Sequence, residues 1–319
     1  MRSLIRVYGW RNRASAETPP LAQPVSLIPT SPPVWKRAVR SLLKAKWPIL
    51  ALFILGVVAF MALFAPQIAP KDPNRQSLVE RLIEPMKTNE KGEIVYLLGT
   101  DGLGRDLWSR IIYGAQVSLA VGIMAVMVGG LMGTTLGVIA GYRGGLVDDL
   151  IMRLADIQLA FPFILLAIMI LVVLGPGVWN LIPVLGIGQW VTYARIARGQ
   201  TISQREKEYV EAARCIGARD RRIMLQAILP NVLAPLIVIA SFNVASAILA
   251  EASLSFLGLG VPPTVPTWGG ILNESRDQIL AGKWWPAFFP GLAIMLTVLS
   301  LNILGDWLRD FLDPRLRGR

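Results

Sequence analysis

Histidine is absent from this chain and cysteine occurs once, at Cys215. A lone thiol cannot close an internal disulfide, and without imidazole the chain lacks the commonest zinc or nickel ligand, so metal chemistry by its own side chains is not expected. No G-x-x-x-x-G-K-[ST] sequence occurs, which excludes ATP hydrolysis through the usual phosphate-cradling loop. Charged residues make up only 17% of the chain, and the centres of its long apolar runs hold no Asp, Glu, Lys or Arg. Ion-driven carriers place such groups inside the membrane, so energy for any transport is expected from a partner. Residues 1–34 are polar and proline-rich, with no apolar core ending in a small-residue cleavage site. They read as a flexible cytoplasmic tail rather than a secretory signal.

Apolar surface is what the chain has: 54% of its residues are hydrophobic and its mean hydropathy is +0.52. A net charge of +11 would suit a nucleic-acid binder if the basic side chains shared one face of a soluble domain. They are instead spread between apolar runs, and no nucleic-acid partner is expected. At about 20 apolar residues per crossing, six spans are expected, at Pro48–Phe64, Val117–Ala140, Ile157–Leu174, Val178–Ala194, Val232–Ala250 and Pro286–Leu304. Pro183, Gly186 and Gly188 interrupt the fourth. Polar residues within the spans, such as Gln189 and Asn243, are expected to serve helix packing. All but nine of the 32 lysines and arginines fall on one side of this arrangement, which places both termini in the cytoplasm. The expected fold is an all-α membrane protein with six transmembrane helices. Its parts are an N-terminal tail (1–46), a first helix with an outer segment (47–116), a five-helix core (117–305) and a C-terminal tail (306–319).

One charged stretch, 195–230, interrupts the core and has helical order. Between Glu206 and Ile216 there is no glycine or proline, and Tyr209, Ala212, Ala213 and Ile216 recur at helical spacing as one apolar stripe. Gly217 suits a helix end or sharp turn. A second amphipathic run follows, with Ile223, Ala227 and Ile228 on a related face, and Pro230 marks the start of the next span. The expectation is a helix–turn–helix hairpin on the cytoplasmic side. An amphipathic helix lying on anionic lipid is the competing reading, which Arg214, Arg219, Arg221 and Arg222 would serve.

The pattern Glu211-Ala212-Ala213, three residues, Gly217, ten residues, then Ile228-Leu229-Pro230 resembles the EAA loop of binding-protein-dependent ATP-driven import permeases. Other segments resemble the second membrane subunit of the dipeptide, oligopeptide and nickel branch of that family. They are Leu98–Asp106 with Ser109-Arg110, Gly141–Gly145 with Asp148 and Met152-Arg153, Glu251–Gly260 with Trp268-Gly269, and Gly305–Asp310 through Asp313–Arg317. The likeness covers about residues 45–317, and the tail of residues 1–34 has no counterpart in it.

The resemblance implies a permease in the bacterial cytoplasmic membrane, itself no enzyme and without a cofactor, ATP and Mg belonging to partner subunits. The implied partners are a second homologous permease, two ATP-binding subunits, an external substrate-binding protein and membrane lipid. The implied ATPase-coupling residues are Tyr209, Glu211, Ala212, Ala213, Gly217, Arg219, Ile228, Leu229 and Pro230. Di- or oligopeptides are the implied cargo. Nickel chelates or other small solutes are the alternative, and a secondary carrier or a membrane scaffold are rivals of another class.

Four features carry simpler readings. Gly99–Asp106 is expected to form a turn before a helix, not a phosphate loop. Glu251–Gly260 fits either an interfacial helix or the frayed end of the fifth span. Trp284 and Trp285 read as an aromatic belt at the bilayer surface. The charged Lys71–Glu93 segment reads as solvated, contact with a binding protein being the alternative.

Overall fold

A computed structural model describes residues 41–42, 45–88 and 92–312. Most of the N-terminal tail, and the C-terminal Asp313–Arg317 pattern, lie outside the described residues. Helix α1 (Lys46–Leu63) is followed by the short α2 (Ala65–Ile68) and an outer segment. A two-stranded antiparallel ribbon, β1 (Lys87–Thr88) with β2 (Ile94–Tyr96), lies in that segment. Then come α3 (Leu107–Arg143), α4 (Gly145–Leu159), α5 (Phe163–Leu174), α6 (Val178–Arg205) and the small α7 (Glu208–Cys215). Helix α8 runs from Asp220 to Phe256, short helices α9 (Trp268–Glu274) and α10 (Arg276–Leu280) follow, and α11 (Trp285–Leu312) closes the chain.

Helices α1, α3, α8 and α11 are each long and apolar enough to cross a membrane, and α4 with α5 makes a fifth candidate if that pair is one broken span. The expected third span, Ile157–Leu174, is therefore not one helix. Pro162 disfavours helical geometry at Phe161, so α4 ends and α5 leaves at 88°. Alone, the twelve residues of α5 reach only about 18 Å. The expected fourth span begins at Val178 as its pattern suggests but does not stop at Ala194. It continues unbroken to Arg205, so the first third of the 195–230 stretch is helix α6 rather than loop.

Gly186 and Gly188 do not interrupt α6; they are close-packing sites. A Cβ on Gly186 would lie 2.8 Å from Val128, and one on Gly188 would strike the Phe163 ring. Against α3 the fit is tighter still. Cβ atoms on Gly129, Gly133, Gly137 and Gly141 would fall 2.6, 2.2, 2.3 and 2.7 Å from the carbonyl oxygens of Gly186, Trp190, Ala194 and Arg198. Glycine every fourth residue thus lets two backbones touch over about three turns, the small-residue packing by which membrane helices associate without a hydrophobic drive. Because both series ascend together, α3 and α6 run parallel, and the α4–α5 segment must return the full height between them.

At the N-terminal end of α3, Asp101, Arg105 and Arg110 are almost fully buried, and both arginines meet Glu274 of α9. Arg105 Nε donates to Asp101 Oδ2 at 2.7 Å and its Nη2 to Glu274 Oε2 at 2.6 Å, while Arg110 reaches both carboxylates. Asp106 caps α3 by accepting from Ser109 N at 2.9 Å, so Gly99–Asp106 is a turn leading into a helix. The described residues of the 71–93 segment are mostly exposed, as expected, yet its backbone is tied down. Ser77 N donates to Leu103 O, Leu82 N to Asp101 O, and Thr100 Oγ1 to Glu80 O, wrapping it over this turn. Trp285 is also displaced from the expected aromatic belt: it is buried, with Nε1 donating to Thr100 O at 3.2 Å, while Trp284 stays half exposed. Glu251–Phe256 is the ordered end of α8, terminated at Gly258 with φ 82°.

Burial alone would raise the Asp101 carboxyl pKa, but the Arg110 and Arg105 guanidiniums and two backbone N–H donors outweigh it and hold it below the usual carboxylate value. A depressed folded-state pKa contributes stability present above the unfolded value and lost as pH falls through the folded one. This buried network is therefore expected to loosen below about pH 4. Asp101→Asn should cost about 3 kcal/mol at neutral pH, because it leaves Glu274 as the one carboxylate beside two buried guanidiniums, and should flatten the acid dependence. Hydrogen exchange of residues 98–110 at pH 7 and at about pH 3 checks both expectations.

Candidate functional site: the helix–turn–helix hairpin

Beyond Arg205 the chain breaks at Glu206-Lys207, forms α7, turns at Gly217 and enters α8 at Asp220. The turn is closed by two backbone bonds, Ala218 N to Ala213 O at 3.0 Å and Gly217 N to Arg214 O at 2.9 Å, with Gly217 at φ 77°. This is the six-to-one, five-to-two pairing that ends a helix on a left-handed residue, with Ala213 and Ala218 as its accompanying apolar contact. Nothing lies within 4 Å of where a Gly217 Cβ would stand, so glycine is required there by backbone geometry and not by space.

The hairpin's inner face packs on the bundle. Val210, Ile223 and Ile228 are completely or almost completely buried, each worth about 1.5–3 kcal/mol of apolar burial. Polar links add to this: Tyr142 Oη, from the end of α3, donates to Asp220 Oδ1 at 2.8 Å, and the Arg214 guanidinium stands 5.5 Å from the Tyr142 ring centre. Arg205 Nη1 donates to the Gly141 and Tyr142 carbonyls, capping α3. Arg198 Nε and Nη2 donate to the two carboxylate oxygens of Asp148 of α4, and Arg195 reaches Asp156 at 2.6 Å. The hairpin is thus tied to α3 and continuous with α6 and α8.

The sequence-derived residues divide between two faces. Tyr209, Glu211, Ala212, Gly217 and Arg219 are exposed, Ala213 is half-buried, Ile228 is buried, Leu229 is half-buried and Pro230 is exposed. The expected stripe of Tyr209, Ala212, Ala213 and Ile216 does not pack as a unit. Only Ala213 turns inward, and the buried anchor is Val210, one position away from Tyr209. Ile216 stands 84% exposed at the tip, beside the exposed Cys215. Pro230 stands in the first turn of the α-helical stretch Leu229–Phe256, as expected of an entry proline, but no break precedes it. Helix α8 runs through it, with a π turn over Ile223–Ile228 in which Leu229 N donates to Met224 O. That wider turn accommodates the missing proline N–H. Tyr142, Arg205 and Asp220 were not legible as part of the site. Only a glycine-rich helix end followed by an aromatic and a basic residue marks the first.

Residues 133–318 match the family described as binding-protein-dependent transport system inner membrane component, and residues 34–85 match the N-terminal transmembrane domain of oligopeptide transport permease C. The chain belongs to this permease family. It is 46% identical to the di/tripeptide transport system permease protein DppC of Pseudomonas aeruginosa, over 84% of this chain and 87% of that one. It is 41% identical to the dipeptide transport system permease protein DppC of Bacillus subtilis, over 88% and 85%. It is also 41% identical to the glutathione transport system permease protein GsiD of Escherichia coli strain 536, over 98% and 100%. That last alignment takes in nearly the whole permease, so the N-terminal stretch expected to have no counterpart does have one among the relatives. A chain of the methionine ABC transporter MetNI, solved in inward-facing conformations, shares the fold with a TM-score of 0.52. It is 18% identical, and the likeness covers 63% of this chain and 96% of that one. The protein is the inner-membrane permease subunit of an ABC importer.

Proposed function

We propose that this permease forms half of the membrane pathway of an ATP-driven importer of small peptides. It would cross the membrane six times with both termini in the cytoplasm. The parallel packing of α3 and α6 supports that path, since it requires the α4–α5 segment to traverse between them. In this reading a second, homologous permease supplies the other half of the pathway. Two ATP-binding subunits hydrolyse ATP and an external binding protein delivers the peptide. The names of the DppC and GsiD relatives support peptide cargo.

The observation that carries the coupling is the two-faced hairpin. Its outer face offers Tyr209, Glu211, Ala212 and the protruding Ile216, a small patch with an apolar knob and one acidic group, suited to a groove with a basic rim. Its inner face is locked to α3, α6 and α8, so displacement of the hairpin by closing ATPase subunits is passed to three helices at once. Moving such an element as a rigid body biases the bundle between two arrangements.

The test is uptake of labelled di- and tripeptides by proteoliposomes holding the complete transporter, with its binding protein and internal ATP. ATP-dependent accumulation is expected. Glu211→Lys should weaken ATPase docking and reduce accumulation about tenfold, a loss of about 1.4 kcal/mol. Uptake that persists without ATP contradicts the mechanism, and uptake of other solutes alone contradicts the cargo.

A further inference from the structure

Helices α3 and α8 run antiparallel and press together at Gly122, where a Cβ would stand 2.8 Å from Ile248 Cγ1 and 3.5 Å from the Val244 carbonyl oxygen. Beyond that contact, away from the hairpin, the first turn of α9 enters between them. Trp268 is almost completely buried, with Nε1 donating to Ile111 O at 3.1 Å and its backbone N to Ser118 Oγ at 3.4 Å. A Cβ on Gly114 would lie 2.8 Å from the Trp268 ring, and one on Gly269 would lie 2.5 Å from Ala252 Cα. Helix α9 is thus a wedge seated on α3 and α8 at once.

Glu251 lies at the root of this wedge. It falls one position past the apolar run expected to end at Ala250, and it is completely buried. Its Oε2 accepts from Ser118 Oγ of α3 at 3.0 Å and its Oε1 from Ser255 Oγ at 2.7 Å, and the Thr267 side chain is a third hydrogen-bonding neighbour. No ion pair among the described residues includes it, Arg105 and Arg110 being taken by Asp101 and Glu274. A fully buried carboxyl without a basic partner is a costly way to join helices for stability alone. Two of the hydroxyls beside it are also the ones that receive α9. Ser118 Oγ accepts from Trp268 N, and Thr267 Oγ1 accepts from Gly270 N at 3.0 Å to cap the helix. An acceptor at Glu251 draws the hydroxyl hydrogens toward α8 and leaves the oxygen lone pairs for the N–H groups of α9.

We propose that Glu251 is the positioning residue that latches α9 between α3 and α8, and that α9 is the gate at the end of the bundle opposite the hairpin. Both helices are joined to the hairpin, α8 by continuity and α3 through Tyr142 to Asp220. With Gly122 against Ile248 as the fulcrum, a change of angle at the hairpin end alters, at the other end, the gap that Trp268 fills. Movement of the hairpin therefore reaches Glu251 about 45 Å along α8 from Asp220. This inference rests on the ATP-driven cycle proposed above.

The experiment combines hydrogen exchange of residues 267–271 with the ratio of peptide accumulated to ATP hydrolysed, in the complete reconstituted transporter with its binding protein. In the wild type the Trp268 and Gly270 amides should be protected at rest and exchange about tenfold faster when the ATPase subunits are arrested with vanadate. Glu251→Leu removes the acceptors and keeps an apolar fill, so the assembled complex should be recovered. Fast exchange should then appear already at rest, and peptide moved per ATP should fall about tenfold. Glu251→Gln, which retains an acceptor in the same shape, should restore most of both readouts. Ser118→Ala cuts one link without touching the carboxyl and should shift both in the direction of Glu251→Leu. Unchanged resting exchange in Glu251→Leu and Ser118→Ala, or wild-type amides equally protected in the arrested state, would overturn the proposal. Failed assembly of Glu251→Leu with normal exchange and coupling in Ser118→Ala would reduce Glu251 to a structural role and equally defeat it. A wild-type complex that accumulates no peptide with ATP contradicts the importer cycle instead, and resting exchange in the variants still tests the latch.

Discussion

Replacing Gly133 with leucine should leave almost no assembled transporter in the membrane. The new Cβ would stand 2.2 Å from the Trp190 carbonyl oxygen, 2.7 Å from the Tyr193 Cβ and 3.0 Å from the Ala194 nitrogen. Two of those three atoms are backbone, so no rotamer change relieves the contact and α3 must separate from α6. Overpacking that displaces a backbone costs about 3 kcal/mol or more, a large share of the roughly 5–15 kcal/mol that holds a typical fold together. Gly130→Ala is the control. Its Cβ would meet the Tyr193 ring at 3.6 Å, an ordinary contact, and it should assemble normally. Size-exclusion profiles in mild detergent and thermal midpoints of the two variants check this, and a monodisperse, stable Gly133→Leu protein would refute the proposed seam.

Gly217→Val should give the reverse phenotype: a well-inserted permease that transports poorly. No atom lies within 4 Å of the new Cβ, at an exposed turn, so packing is not what opposes the change. The cost is conformational, because φ 77° is left-handed geometry worth about 1–2 kcal/mol against a non-glycine residue and more for a β-branched one. The two backbone bonds from Gly217 and Ala218 open, the tip carrying Ile216 re-aims, and ATP-driven uptake is expected to fall about tenfold while expression holds. Asparagine tolerates the same geometry, so Gly217→Asn should retain most of the activity. Equal loss in both variants would mean that the glycine serves close contact with a partner rather than the turn.

The sequence showed the membrane class, the helix–turn–helix and the turn glycine because each is a local signal: run length, helical spacing and a residue suited to positive φ. It misled where the deciding contact was distant. Gly186 and Gly188 look like helix breakers in isolation, yet they are the places where α3 and α5 press on α6. The four-residue glycine repeat at 129, 133, 137 and 141 was present to be read, but its partner carbonyls lie some 57 positions away. Pairing of Arg110 with Glu274 and of Tyr142 with Asp220 joins residues 164 and 78 apart, which no spacing rule reports. On α7 the amphipathic pattern was right in period and incomplete in phase. Val210 faces inward and Tyr209 outward, and periodicity alone cannot say which of two adjacent apolar residues meets the core.

The central claim is that an ATP-binding subunit seats on the exposed face of this hairpin, and site-specific photocrosslinking tests it most directly. A photoreactive amino acid at Ile216, in the complete transporter within native membranes, is expected to give one protein adduct containing the ATP-binding subunit, its yield changing when nucleotide is bound. The same probe at the buried Val210 should crosslink within the permease. Adducts at Ile216 formed only with lipid, in membranes where the assembled complex is recovered, would contradict the coupling role and return the hairpin to the membrane surface.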